Sequence, residues 1–238
     1  YITNVGQEIG QFYGWAYEGI ARTQEDLDNH ATQEGAQIGD CLYKDISGPD
    51  GKPDGKVDAN DQVVLGSGMP KIHFGLNARF EYKRFDLSIA TFGALNYHVS
   101  DDIYNSLNSC YGWGNKEVGM LDANRFSEDG STYLSNVPRT YVTNSASLGW
   151  NDLFSSRKIQ NAAYWKIANV ELGYNFPNEW FGKYVSDVRF YVSAQNLHTF
   201  TGYHGYNVDY AGGTFTPGYN FCSYPTARTF MCGVHFTF

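Results

Sequence analysis

Between residues 45 and 61 the chain reads DISGPDGKPDGKVDAND, the densest run of oxygen donors in the sequence. Carboxylates at short spacing, with glycines for sharp turns, are what a hard cation such as Ca2+ needs, since it takes about six to eight oxygens from a flexible loop. The run resembles the acidic series that ends on a glycine in calcium loops. Asp50 or Asp54 fits the place before that glycine, with Asp45, Ser47 and Asp61 as further side-chain donors and Lys56 offering its carbonyl. Pro53 fits a regular calcium loop poorly, and the same residues also suit a solvated acidic hairpin held by Asp and Gly turns. The sequence therefore offers Ca2+ as its one candidate cofactor and leaves both readings open.

A second chemical signal is aromatic. Tyr111, Trp113, Tyr203, Tyr206, Tyr210, Phe215 and Tyr219 stand among Gly, Asn and Asp. Rings in such company stack on sugar faces or hold peptide side chains while neighbouring amides and carboxylates bond polar groups. The same rings also serve to pack loops together. Tyr111, Trp113, Tyr203, Tyr206, Tyr210 and Tyr219 are the candidate substrate contacts. The six histidines show no metal-ligand spacing, and there is no nucleophile elbow or phosphate-binding loop, so catalysis has no support. Four cysteines (41, 110, 222 and 232) form no CxxC pair; a disulfide among Cys41, Cys110 and Cys222 is permitted outside the cytoplasm, and four unpaired thiols are the plainer reading. A net charge of -8 argues against a nucleic-acid partner.

These groups must be carried by strands. Six segments alternate apolar and polar residues: 5–17, 71–82, 85–94, 163–176, 187–197 and 227–238. In the second, Ile72, Phe74, Leu76, Phe80 and Tyr82 oppose His73, Asn77, Arg79 and Glu81. In the last, Phe230, Cys232, Val234, Phe236 and Phe238 share one face up to the final residue. A soluble domain seldom ends this way, because an apolar edge invites aggregation, whereas the last strand of a membrane barrel faces lipid. In the fourth segment Lys166 falls on the side of Ala168 and Val170 and reads as a snorkelling residue at the membrane interface.

The connections alternate in length. Two residues join the second and third strands and about ten join the fourth and fifth, while 18–70, 95–162 and 199–226 are long. Outer-membrane barrels alternate long outer loops with short periplasmic turns. Six strands cannot enclose a lumen, since single-chain barrels start at about eight. The expectation is an all-β chain, part of a transmembrane antiparallel barrel, with the C-terminus on the periplasmic side.

Several ordered stretches then resemble one family. GQFYGWAYEGI (10–20), GDCLYKDISG (39–48), DGKVDANDQVVLGSGMP (54–70), YWKIANVELGYNFP (164–177), VSAQNLHTFTGYHGY (192–206) and YPTARTFMCGVHFTF (224–238) are similar to the C-terminal part of SusC/RagA-type TonB-dependent outer-membrane transporters of Bacteroidetes. The acidic loop is usually tighter in that family. The resemblance implies that residues 1–238 form the last six or so strands of a 22-stranded barrel whose plug and TonB contact lie outside this sequence. It implies a SusD-like surface lipoprotein as lid, membrane lipid around the barrel, and import of oligosaccharides or peptides. The competing readings are a soluble β-sandwich that binds carbohydrate or Ca2+, and a TonB-dependent receptor for a siderophore or vitamin.

Overall fold

The computed structural model describes residues 1–109, 115–118, 137–139, 149–181, 185–209 and 212–238. The strands along the chain are β1 (Gln11–Trp15), β2 (Tyr17–Ile20), β3 (Cys41–Tyr43), β4 (Gln62–Ser67), β5 (Ile72–Tyr82), β6 (Phe85–Leu95) and β7 (His98–Asp101). They continue as β8 (Gln160–Asn161), β9 (Tyr164–Asn175), β10 (Asp187–Thr201), β11 (Gly212–Gly213), β12 (Thr216–Pro217), β13 (Tyr219–Asn220) and β14 (Thr229–Thr237). Among the described residues the short helices α1 (Gln24–Asn29) and α2 (Asp102–Leu107) accompany them. The chain divides into two units.

One unit (residues 70–97, 161–210 and 223–238) is built on a five-stranded antiparallel sheet in the order β14, β10, β9, β6, β5. Each strand pairs with the sheet strand before or after it in sequence, which is the up-and-down pattern of a barrel wall. Strands β5 and β6 are 11 residues each and β9 is 12, close to the roughly 9–11 that a tilted strand needs to cross a bilayer. Lys83 takes the left-handed φ of 56° in the two-residue turn between β5 and β6, as such tight hairpins require.

The register aligns the apolar residues into rows. Tyr82 pairs with Phe85, Phe85 with Tyr174, Tyr174 with Phe190, and Phe190 with Val234. One step on, Phe80, Leu87, Leu172, Val192 and Cys232 form the next row, and Ala78, Ile89, Val170, Ala194 and Phe230 the next. Phe80 is 60% exposed, Leu172 48% and Phe236 51%, so this face has no protein cover. An apolar surface of this extent needs another medium against it, and for a wall of antiparallel strands that medium is lipid. A two-layer soluble sandwich would bury these side chains against a second sheet. Tyr82, Phe85 and Tyr174 mark one end of the band, and Trp165 stacked on Phe200 at 5.4 Å marks the other.

The opposite face is polar. Arg189 donates to Asp86 from Nε at 3.1 Å and from Nη2 at 2.5 Å, and to Glu171 at 2.7 Å. Gly173 lies between the partners, and a Cβ there would run into Arg189 and Asp86. Arg79 pairs with Glu81 at 2.8 Å on exposed side chains, a contact worth little in stability.

A bulge changes one expected side. Asn169 pairs with Ala90 and Gln195, but the next ladder residue of β9 is Ile167, so Ala168 is skipped. Opposite it, Asn196 adopts φ 51°. An extra residue reverses the facing of everything beyond it. Lys166 therefore stands opposite Phe92 on the polar face, only 4% exposed, and donates to Asp209 at 2.8 Å. It is a buried ion-pair residue and not a snorkelling one.

The other unit (residues 1–69, 98–160 and 211–222) corrects the first expected strand. Only Gln11–Trp15 is extended there, and it pairs antiparallel with β4 instead of joining the main sheet. Its other flank is occupied by the chain at Phe154, whose carbonyl accepts from Trp15 N–H at 3.2 Å. The 18–70 segment is likewise structured. Strands β2 and β3 form a hairpin-like pair, and Thr23 and Asp26 cap α1 reciprocally. Cys41, Tyr43 and Val57 form the core, with Trp15, Tyr17, Trp150 and Leu153 against it. Beside it, fully buried Asp40 accepts from Arg139 Nε at 2.5 Å and from Asn151 Nδ2 at 2.8 Å. Cys41, Cys222 and Cys232 carry no disulfide; Cys110 lies outside the described residues.

The two faces of the sheet should respond oppositely to charge. Leu172→Arg should cost about 2–4 kcal/mol of folding free energy in lipid, the penalty for arginine near the bilayer midplane. Gln195→Arg, on the polar face, should cost less than about 1 kcal/mol. Urea titration of the full-length protein in vesicles reads both. Arg139→Ala, which strands the buried Asp40 carboxylate, should cost about 3–5 kcal/mol in the same titration.

Candidate functional site

The acidic loop leaves β3 and closes on the short 3-10 turn Ala59–Asp61. Its carboxylates face backbone donors. Asp61 is fully buried; Oδ1 accepts from Ile46 N–H at 2.6 Å and Ser47 N–H at 3.0 Å, and Oδ2 from Asp58 N–H at 2.7 Å. Asp45 accepts from Asp54 N–H at 3.3 Å and Gly55 N–H at 2.7 Å. Asp54 in turn accepts from Lys56 N–H at 3.0 Å. Gly51 and Gly55 make the reversals with φ of 71° and 83°, conformations that glycine adopts without strain.

The structure thus gathers Asp45, Asp54 and Asp61 along one loop, but as acceptors that tie it shut. Asp50 sits exposed at the tip and Ser47 Oγ donates to the Gly48 carbonyl at 3.5 Å. Lys56 stands opposite Thr32 in a parallel bridge whose hydrogen bonds are made by the Gly55 carbonyl and the Val57 N–H. Among the described residues, no group of three or more His, Cys, Asp or Glu is placed to hold a metal ion. Burial pushes the Asp61 carboxyl up, but the backbone donors of Ser47, Asp58 and Ile46 outweigh it and leave the group below the ordinary aspartate value.

The aromatic candidates separate. Tyr219 lines a cavity of about 640 Å³ together with Ser100, Asp102, Asn105, Phe154 and Lys158. Tyr203 is 6% exposed and holds its own turn, its N–H donating to Thr201 Oγ1 at 3.1 Å. Tyr206 is 70% exposed. Tyr111, Trp113 and Tyr210 lie outside the described residues. Phe230, Val234 and Phe236 occupy the apolar face of β14, Phe238 follows its end, and all four are exposed.

The cavity is positioned by short elements. Strand β13 pairs in parallel with β7, Tyr219 opposite Ser100 and Asn220 opposite Asp101. Asp101 caps α2 by accepting from Tyr104 N–H at 2.9 Å. Asn105, one turn on, donates to Ser100 Oγ at 3.2 Å and to the Lys158 carbonyl at 3.1 Å, which fixes the 150–158 segment as a wall. Burial, and then the neighbouring Asp102 carboxylate, raise the Tyr219 phenol above its usual value. Sequence reasoning missed Asp102, Asn105 and Lys158, because α2 is too short to show a helical period. The only signals available were the Asp-Asp pair at its start and the tyrosine in a glycine-rich stretch far along the chain.

Asp61→Asn should release the loop. It removes the charge from three backbone bonds and puts an amide group where only acceptors fit, at about 2–3 kcal/mol. The wild-type contribution, from a carboxylate whose folded value is lowered, is complete above about pH 4 and is lost as pH falls through the folded value. Hydrogen exchange at the Ile46 and Ser47 amides between pH 6 and pH 2 reads both effects.

No protein-family model matches the chain. Curated relatives do. TonB-dependent receptor P3 of Formosa agariphila is 29% identical over all of this chain and 23% of its own length. TonB-dependent receptor SusC of Bacteroides thetaiotaomicron is 25% identical over 83% of this chain and 19% of its own length. The chain thus spans about a quarter of the length of the curated relatives it matches. Among solved structures, the RagAB peptide transporter superposes with a TM-score of 0.71 over 96% of this chain and 22% of that one, at 20% identity. The RagAB peptide importer in its open-open state gives 0.70 at 21% identity. By sequence the chain is similar to a segment of the TonB-dependent receptors, SusC among them, and by fold it is similar to a part of RagAB.

Proposed function

We propose that this chain forms part of the barrel wall of an outer-membrane importer that takes up oligosaccharides or peptides. Energy comes from TonB, acting on a part of the protein that this chain does not span, and a SusD-like lipoprotein lids the outer face. The observation that carries the reading is the five-stranded antiparallel sheet, with an uncovered apolar face on one side and the Asp86, Glu171 and Arg189 network on the other. Lipid satisfies the first face and a wet interior the second. The relatives' description as TonB-dependent receptors and the RagAB description as a peptide transporter support import. In this orientation the short turn at Lys83 and Arg84 and the end of β14 are periplasmic, and the long connections after β6 and β10 are extracellular.

The test is fractionation of cells producing the full-length protein, followed by growth on glycan and peptide sources with and without TonB. The expected result is an outer-membrane protein that leaves the membrane only in detergent, carries a lipoprotein with it, and supports growth only when TonB is present. A stable 26.7 kDa monomer in plain buffer, purified from the same cells, would overturn the reading.

A further inference from the structure

The cavity beside Tyr219 has a charge arrangement that the barrel does not require. Its volume of about 640 Å³ lies in the range that holds a small ligand or one segment of a larger one. Two carboxylates, Asp102 and Asp152, and one ammonium, Lys158, line it. The ammonium is committed: Lys158 Nζ donates to the Asp152 carbonyl and lies 3.6 Å from the Asp152 carboxylate. The amide of Asn105 is committed as well, to Ser100 and to the Lys158 backbone. Asp102 lines the cavity with Tyr219 and forms no ion pair among the described residues. Among the described residues one negative charge is therefore left over, in a cavity that Tyr219 and Phe154 also line.

We propose that this cavity is a subsite for a cationic group on the transported ligand, the ammonium or guanidinium of an amine-bearing chain such as a short basic peptide. The inference rests on the import reading and narrows it. A cation gains a charge-assisted hydrogen bond to Asp102 and the face of Tyr219, while its aliphatic stem lies along Phe154. A neutral sugar meets the same hydroxyls and amides but leaves the Asp102 charge unmatched, and an anionic ligand is repelled by it.

The experiment is calorimetric titration of the full-length protein, purified in detergent with its co-purifying partners, against trilysine, fully acetylated trilysine and a neutral maltohexaose. Trilysine should bind about tenfold or more tightly than the acetylated peptide, and Asp102→Asn should erase that difference. Tyr219→Phe, which keeps the ring, should retain part of it. Salt should weaken trilysine and leave maltohexaose unchanged. Equal binding of the free and acetylated peptides by the unaltered protein overturns the subsite without appeal to any variant. So does an Asp102→Asn protein that still discriminates between them. If maltohexaose binds and feeds cells while trilysine does neither, the subsite fails and the import reading stands. If the protein is not in the outer membrane, the import reading fails on its own test.

Discussion

A strand in hydrocarbon must find partners for all its backbone N–H and C=O groups in neighbouring strands, because lipid supplies none. Much of this structure follows from that constraint. Four consecutive antiparallel ladders join β5 to β14 through β6, β9 and β10, and in them each transverse row of residues falls on one face. The backbone requirement fixes the sheet, and the sheet's period of two then divides the side chains. Most phenylalanine, leucine and valine residues go to one side, with Phe92 an exception beside Lys166; arginine, glutamate and asparagine go to the other. Neither face could be exchanged, because charge on the outer face and a continuous apolar surface on the inner one would both be costly.

The polar face is organised by ion pairs that lie far apart in sequence. Arg189 on β10 reaches Asp86 on β6 across β9, and the missing side chain of Gly173 leaves the space for it. Lys166 and Asp209 form a second, more buried pair near the end of the sheet from which the long connections leave. A buried pair of this kind adds little net stability but is costly to break, so it fixes one arrangement over its alternatives. For a sheet that must keep one arrangement, fixed geometry matters more than the sum of the contact energies.

The second unit uses carboxylates for another purpose. Asp61, Asp45 and Asp40 each collect nearby donors, and together they turn long connections into a folded body with its own small core. Loops of this length without internal structure are uncommon in compact proteins, and buried acceptors such as Asp61 are one way to order them. The cavity by Tyr219 depends on this order, since its walls come from α2, β13 and the 150–158 segment, which are separate in sequence.

The five strands of the main sheet, their apolar face and the membrane class could be read from the sequence by itself, whereas the first expected strand could not. Alternation is a local property, and the 71–82 and 227–238 segments carry it in their own residues. What sequence could not give was anything set by register or by distant partners. The bulge at Ala168 leaves no mark in composition, yet it moves Lys166 from the lipid side to the polar side. The partners Asp40 and Arg139 are 99 positions apart, and Asp102 meets Tyr219 only through the pairing of β7 with β13. The acidic run from 45 to 61 was visible as chemistry, but whether its oxygens face a cation or their own backbone depends on where the chain turns. Local periodicity sets what a strand is; the ladder of hydrogen bonds sets which way each side chain faces and what it meets.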